Sequence, residues 1–251
     1  MNNVLIFAGG AGRRMNSRSK PKQFLKLYGK EIIIHTLENF QNHPEVDNIV
    51  VVCIKGWVNY LQNLLAQYGM DKVRLIVAGG KTGQESIYNG LCALSDFAPE
   101  DSIVLVHDGV RPFVTDTLIS DCIKSVKKNG SAVTVTPATE TIIELKDKKI
   151  QAITDRSKCY LAKAPQCFYL GDVFEAHQKV RAVNPSYQGI VDTCSLMKSL
   201  GRDVVMVKGN RGNIKVTTPE DLYLFHGLVQ YHEVEQIFGF GDKEVAANLK
   251  K

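Results

Sequence analysis

Residues 4–15 read Val4-Leu5-Ile6-Phe7-Ala8-Gly9-Gly10-Ala11-Gly12-Arg13-Arg14-Met15, an apolar run of strand length that ends in three glycines within four positions and then in cations. A short β-forming run closed by glycines reads as the first strand and turn of a βα unit. Runs of similar length recur at Ile49–Ile54, Val73–Val77, Ile103–His107, Ala132–Thr136 and Val204–Val207. Between and after them, Ile32–Phe40, Trp57–Tyr68, Glu85–Phe97, Asp116–Lys127, Val173–Val183 and Val191–Leu200 carry apolar residues at helical spacing. The alternation predicts an α/β fold, a mostly parallel sheet with helices on both faces, because each strand run is apolar nearly throughout. Residues 138–160 interrupt the rhythm. There Thr141–Leu145, a charged Lys146–Lys149 turn and Ile150–Thr154 predict an antiparallel hairpin that projects as a β-arm. No linker or internal repeat divides the 251 residues, so a single domain over 1–251 is expected, with a last helix from Pro219 to Phe238 and a tail at 239–251.

Composition narrows the class of protein. Hydrophobic residues make up 44% and charged residues 23%, as in globular domains. No run of 18 apolar residues and no export signal is present, so a cytoplasmic protein without membrane insertion is expected. The six cysteines stand singly, with no C-x-x-C pair, and read as buried free thiols. The formal charge is +5, and residues 1–30 hold seven cations and no acid. Such a segment is an anion site or a nucleic-acid face. Only Phe24 and Tyr28 stand among these cations, a sparse supply of stacking rings, which favours the former, with no nucleic-acid partner.

Four clusters carry chemistry. In the first, Gly9, Gly10 and Gly12 let successive N–H groups cradle phosphate oxygens, and Arg14 and Lys22 follow within reach of them. It is not a P-loop, because G-K-[ST] is missing, nor a dinucleotide fingerprint, because Met15 stands where the third glycine belongs. The plain alternative is a tight turn with solvated charges. The second, His107-Asp108-Gly109-Val110-Arg111-Pro112-Phe113, follows a strand end, which puts Asp108 at the ligand crevice as a candidate Mg²⁺ ligand or, more simply, a turn residue. His107 has no nucleophile to serve and reads as structural. In the third, Gly79–Ser86, a strand end flows into a helix, and backbone groups and Ser86 are candidates to read the edge of a base. The fourth, Gly212–Leu222, contains a helix start at Thr218 and Asp221, which leaves Lys215 without a structural reason.

Together these clusters resemble the cytidylyltransferases that couple CTP to a polyol phosphate, over about Val4 to Leu222. The family's A-[AG]-G-x-G-x-R-M is matched by Ala8 to Met15, its P-K-Q by Pro21-Lys22-Gln23, its H-D-x-x-R-P-F by His107 to Phe113 and its N-[IL]-K-[IV]-T by Asn213 to Thr217. The resemblance implies a Rossmann-like nucleotidyltransferase fold in which Ala8, Gly9, Gly10, Ala11, Gly12, Gly80 and Ser86 bind the nucleotide. It further implies Arg14, Lys22 and Lys215 as catalytic cations, Asp108 as the Mg²⁺ ligand, and Arg111, Thr141 and Arg156 with Lys215 around the acceptor. It also implies a homodimer whose arms cross between subunits. Two positions depart from the pattern: Gly83 stands where relatives carry arginine, and Ala164-Pro165-Gln166 stands for T-P-Q. Ala8-Gly9-Gly10, Val110 and Ile34–Phe40 lean toward D-ribitol 5-phosphate as acceptor. The alternatives are 2-C-methyl-D-erythritol 4-phosphate, whose branch serves isoprenoid synthesis, and a nucleotide-binding regulator without turnover.

Overall fold

The computed structural model describes residues 1–10, 15 and 20–238. Ala11, Gly12, Arg14 and the tail 239–251 lie outside the described residues.

The strands are β1 (Asn2–Ala8), β2 (Lys26–Leu27), β3 (Lys30–Glu31), β4 (Asn48–Cys53), β5 (Val73–Ala78), β6 (Ile103–Asp108), β7 (Ser131–Pro137), β8 (Ile143–Lys146), β9 (Lys149–Ile153), β10 (Tyr160–Tyr169) and β11 (Met206–Lys208). The helices are α1 (Ile32–Gln41), α2 (Val58–Gln67), α3 (Gly83–Ser95), α4 (Asp116–Asn129), α5 (Leu170–Val183), α6 (Thr193–Ser199) and α7 (Pro219–Phe238). Seven strands form one sheet in the order β11-β7-β10-β6-β1-β4-β5. Its pairs are parallel except on the two sides of β10, which runs antiparallel to β6 and β7.

The period of two in the strands sorts the core into two layers. Val4, Ile6, Ile49, Val51, Ile103 and Leu105 pack on one face against α1, α2 and α4. Leu5, Val50, Val52, Val104 and Val106 pack on the other against α3, α5 and α6. The expectation that both faces of every strand are covered fails at the edges. Leu75 on β5 and Met206 on β11 are 39% and 58% exposed, because an edge strand has a neighbour on one side only. Three of the six free cysteines, Cys53, Cys122 and Cys167, are buried; Cys92, Cys159 and Cys194 are half-buried.

Helix ends follow local chemistry. Thr115 Oγ1 accepts from Leu118 N (3.3 Å) to start α4, and Gly130 ends it at φ 80°. Thr82 Oγ1 accepts from Glu85 N (3.1 Å), while Glu85 Oε2 accepts from Lys81 N (2.7 Å), which pins α3 where it meets the β5 loop. No helix among the described residues is long and apolar enough to cross a membrane.

The hairpin β8–β9 stands away from the sheet, turning through Asp147 and Lys148 at φ 51° and 63°. It spans 143–153 rather than 141–154, and Ile143 belongs to its exposed apolar set. Leu145, Ile150 and Ile153 are each more than 60% exposed. A two-stranded ribbon with such a face is marginal by itself.

Candidate active site

The carboxyl ends of β1 and β6 and the loop after β5 converge on a cavity of about 650 Å³. Its walls include Ala8, Gly9, Gly10, Lys22, Gly80, Ser86, Asp108 and Lys215, so these eight expected site residues meet in one place. The glycine at position 9 has a steric cause, since a Cβ there would sit 2.9 Å from Ser86 Oγ. Ser86 Oγ in turn donates to Thr82 O (2.9 Å) and accepts from Gly80 N (3.0 Å). The hydroxyl therefore shapes the loop, and Gly80's N–H is spent inside it. What Ser86 has left for a base is a lone pair, which suits an amino donor.

Gln23 is a residue to which the motif alone assigned no task. Its Nε2 donates to Ala8 O (2.6 Å) and Gly10 O (3.4 Å), tying the P-K-Q segment to the glycine turn. The same segment brings Lys22 Nζ to donate to Val216 O at 3.1 Å. The Asn213–Thr217 segment is anchored at both ends. Asn213 is buried and its Nδ2 donates to Ala164 O (2.7 Å), while Asp221 Oδ2 accepts from Thr217 N and Thr218 N (2.7 and 2.8 Å) at the start of α7. Val216 N donates to Val110 O (2.9 Å), which sets this segment against the Asp108 turn.

Asp108 is the electrostatic centre. Its Oδ2 accepts from Arg111 Nε at 2.7 Å and its Oδ1 pairs with Lys215 Nζ. Burial by itself would push the carboxyl up, but the Lys215 ammonium and the Arg111 guanidinium outweigh it and hold Asp108 down at about 2. It is a fixed anion at any working pH. Arg111 also donates through Nη1 to Asn213 O (3.0 Å), so it serves the fold and the site together.

His107, one residue before, faces away. Its ring packs on Phe40 at 5.0 Å, and burial holds it down to about 4. Burial holds His177 down to about 3. Both are neutral in the folded chain, whereas an unfolded histidine titrates near 6.5. The unfolded chain thus takes up protons that the folded chain refuses, and the stability present above pH 6.5 is lost as pH falls toward 4. A melting temperature flat above pH 7 and falling between 6.5 and 4 is expected. The double variant His107→Gln/His177→Gln should flatten that slope; an unchanged slope would assign the fall elsewhere.

Thr141 and Arg156 do not reach this cavity within one chain. Both are exposed at the base of the arm, where Arg156 Nη1 donates to Thr139 O at 3.0 Å. Lys163 and Gln166 on β10, by contrast, line a smaller neighbouring cavity with Arg111; Gln166 belongs to the segment that stands for T-P-Q, whereas no motif pointed to Lys163.

Among the described residues no group of three His, Cys, Asp or Glu could hold a metal unaided. A single ionised carboxylate at the cavity wall fits a magnesium ion, which takes one or two carboxylates and completes its shell with phosphates and water.

The geometry has counterparts. A family model described as "IspD: 2-C-methyl-D-erythritol 4-phosphate cytidylyltransferase" matches residues 3–230. A "Ribitol-5-phosphate cytidylyltransferase" of Streptococcus agalactiae serotype III (strain NEM316) is 46% identical over 240 residues, covering 95% of this chain and 100% of that protein. A "2-C-methyl-D-erythritol 4-phosphate cytidylyltransferase" of Syntrophus aciditrophicus is 38% identical over 232 residues, 92% of this chain and 96% of that one. Among solved structures, the 4-diphosphocytidyl-2C-methyl-D-erythritol synthase of Anaerococcus prevotii superposes with a TM-score of 0.78 at 27% identity, covering 91% of this chain and 96% of that one. A family match over residues 3–230, together with relatives of this identity and a shared fold, establishes that the chain belongs to the IspD family of cytidylyltransferases.

Proposed function

We propose that this cytidylyltransferase couples CTP to D-ribitol 5-phosphate, giving CDP-ribitol and pyrophosphate, and that it works in the cytoplasm as a homodimer with Mg²⁺. The observation that carries the reading is the meeting of the β1 glycines, Lys22, Asp108 and Lys215 on one cavity. The full-length likeness to the streptococcal enzyme supports the pentitol acceptor.

In this reading an oxygen of the acceptor phosphate attacks the α-phosphorus of CTP in line. The bond from the α-phosphorus to its bridging oxygen breaks, and pyrophosphate leaves with the electron pair. No covalent enzyme intermediate is needed. Negative charge grows on the α-phosphate oxygens, so pre-placed cations supply most of the stabilisation. Lys22 and Lys215 take that role, with Arg14 from the same basic segment as Lys22. At rest Lys215 is held by Asp108, and an arriving phosphate offers it a second partner. Asp108 would hold Mg²⁺, which when bound neutralises charge on the departing phosphates. Ser86 accepts from the cytosine amino group, and Arg111 faces the acceptor. Thr141 and Arg156 come from the arm of a second copy.

A second reading, with 2-C-methyl-D-erythritol 4-phosphate as acceptor, draws on the family's own description. A panel crossing the two polyol phosphates with CTP and UTP, read by pyrophosphate release with Mg²⁺, separates the two. Ribitol 5-phosphate with CTP should be the best pair. UTP should lose roughly 10- to 100-fold in kcat/KM, because uracil presents an acceptor where Ser86 offers a lone pair. Preference for the methylerythritol phosphate would replace the acceptor assignment, and absence of turnover would make the chain a nucleotide-binding regulator.

A further inference from the structure

A second cavity of about 250 Å³ opens beside the first, and Phe7, Gly83, Asp108 and Lys215 line both. Its far wall carries three polar residues that the proposed reaction has not used: Lys163 on β10, Gln84 on α3 and Thr193 on α6. Lys163 sits where the pairing of β10 with β7 slips between Ala162 and Gln166, next to the alanine that replaces the family's threonine.

Lys163 Nζ donates to Arg211 O (3.1 Å) and Asn213 O (3.2 Å). An ammonium has three N–H donors, so one is left. The nearby carboxylate, Asp108, is already shared by Arg111 and Lys215. Burial and then the charges of Arg111 and Arg211 push the lysine down to about 8, which reports a half-buried cation facing other cations without a counter-ion.

The other two of these residues have the complementary deficit. Among the described residues, Gln84 Oε1 and Thr193 Oγ1 find no hydrogen-bond partner, although both are buried, in residues 4% and 1% exposed. Buried polar atoms normally find partners, so two orphans on one cavity call for an explanation. Asp192, also on this wall, is committed to the fold: its Oδ1 accepts from Ser195 N (2.7 Å) and its Oδ2 from Gln166 Nε2 (2.9 Å).

We propose that Lys163 is a specificity-determining residue that binds the acceptor in the second cavity, donating to the polyol phosphate while the polyol's hydroxyls satisfy Gln84 and Thr193. The inference rests on the polyol-phosphate reading and deepens it. A phosphorylated polyol combines the two things this cavity lacks, an anion for the lysine and a row of hydroxyl donors for the orphaned oxygens. It would enter beside Asp108 and Lys215, where the cavity joins the nucleotide's.

Lys163→Met removes the charge and keeps the length. With the acceptor that wild type turns over, its KM for that acceptor should rise roughly tenfold or more, while the KM for CTP and kcat at saturating acceptor stay within about twofold. Lys163→Arg should restore most of the acceptor affinity. Thr193→Val should raise the same KM several-fold without lowering the melting temperature, because it deletes a hydroxyl that has no partner in the free protein. An unchanged acceptor KM in both Lys163→Met and Thr193→Val, or equal losses toward CTP and acceptor, overturns the proposal. A wild type that prefers 2-C-methyl-D-erythritol 4-phosphate overturns only the ribitol assignment, since the Lys163 comparison is then made with that acceptor. A wild type inactive toward both overturns both.

Discussion

Lys215→Met is expected to lower kcat by roughly 100- to 1000-fold while the KM for CTP changes only a few-fold. The side chain is 38% exposed at the cavity wall and paired with a nearly buried carboxylate, so its ammonium is oriented before any phosphate arrives. A cation held in this way gives most to the state in which charge has moved onto the α-phosphate oxygens, and less to the ground state. Methionine keeps the stem against Phe7, whose ring lies 5.7 Å from Nζ, so the variant should fold. Asp108 keeps its bond from Arg111 Nε in the variant, so the carboxyl is not left without a partner. Steady-state kinetics with CTP and the preferred acceptor, beside a melting curve, decide the matter. A kcat within a few-fold of wild type would remove Lys215 from the transition state.

The second large effect is a recovery. Lys22→Ala and Arg156→Ala are each expected to lose about 100-fold or more of activity as homodimers. Unfolded and refolded together at equal amounts, they should regain about a quarter of wild-type activity. Random pairing of a two-fold dimer makes half the dimers mixed, and each mixed dimer holds one intact site of two. The physical motive is the arm. Ile143, Leu145, Ile150 and Ile153, cross-strand partners on the hairpin, are each 44–68% exposed, as are Tyr160 and Leu161 where β10 begins, apolar exposure of the kind that marks an interface. Arg156 lies at the arm's base, away from the cavity of its own chain. If each chain completed its own pocket, every site in a mixed dimer would carry one lesion and no activity would return. No recovery with mixed dimers confirmed by mass spectrometry would exclude arm exchange.

Much of the site was readable because its parts are local. Asp108 and Arg111 are three residues apart at a strand end, and the glycines that end β1 directly follow an apolar run. Residue type and short spacing suffice for such features. Lys163 escaped notice because it belongs to no motif and stands two residues before Pro165, and proline argues against a central strand. The structure resolves that conflict by placing Pro165 where the β10–β7 register slips, the one kind of position in a sheet interior that tolerates it. Ser86 was legible as a residue and less so as a role, since its bonds to Thr82 and Gly80 depend on how the β5 loop folds back.

By itself the amino-acid sequence determined the α/β class, the succession of strands and helices, the arm and the four motifs whose residues line the cavity, because hydrophobic period and turn chemistry act over a few residues. The tertiary structure alone decided that β10 runs antiparallel between β6 and β7, that Lys215 closes on Asp108, and that Gln23 ties the basic segment to the β1 turn. The reason lies in the range of the interactions. Strand order, strand direction and the pairing of buried charges are settled by contacts between segments far apart in the chain, where residue spacing carries no information about who meets whom.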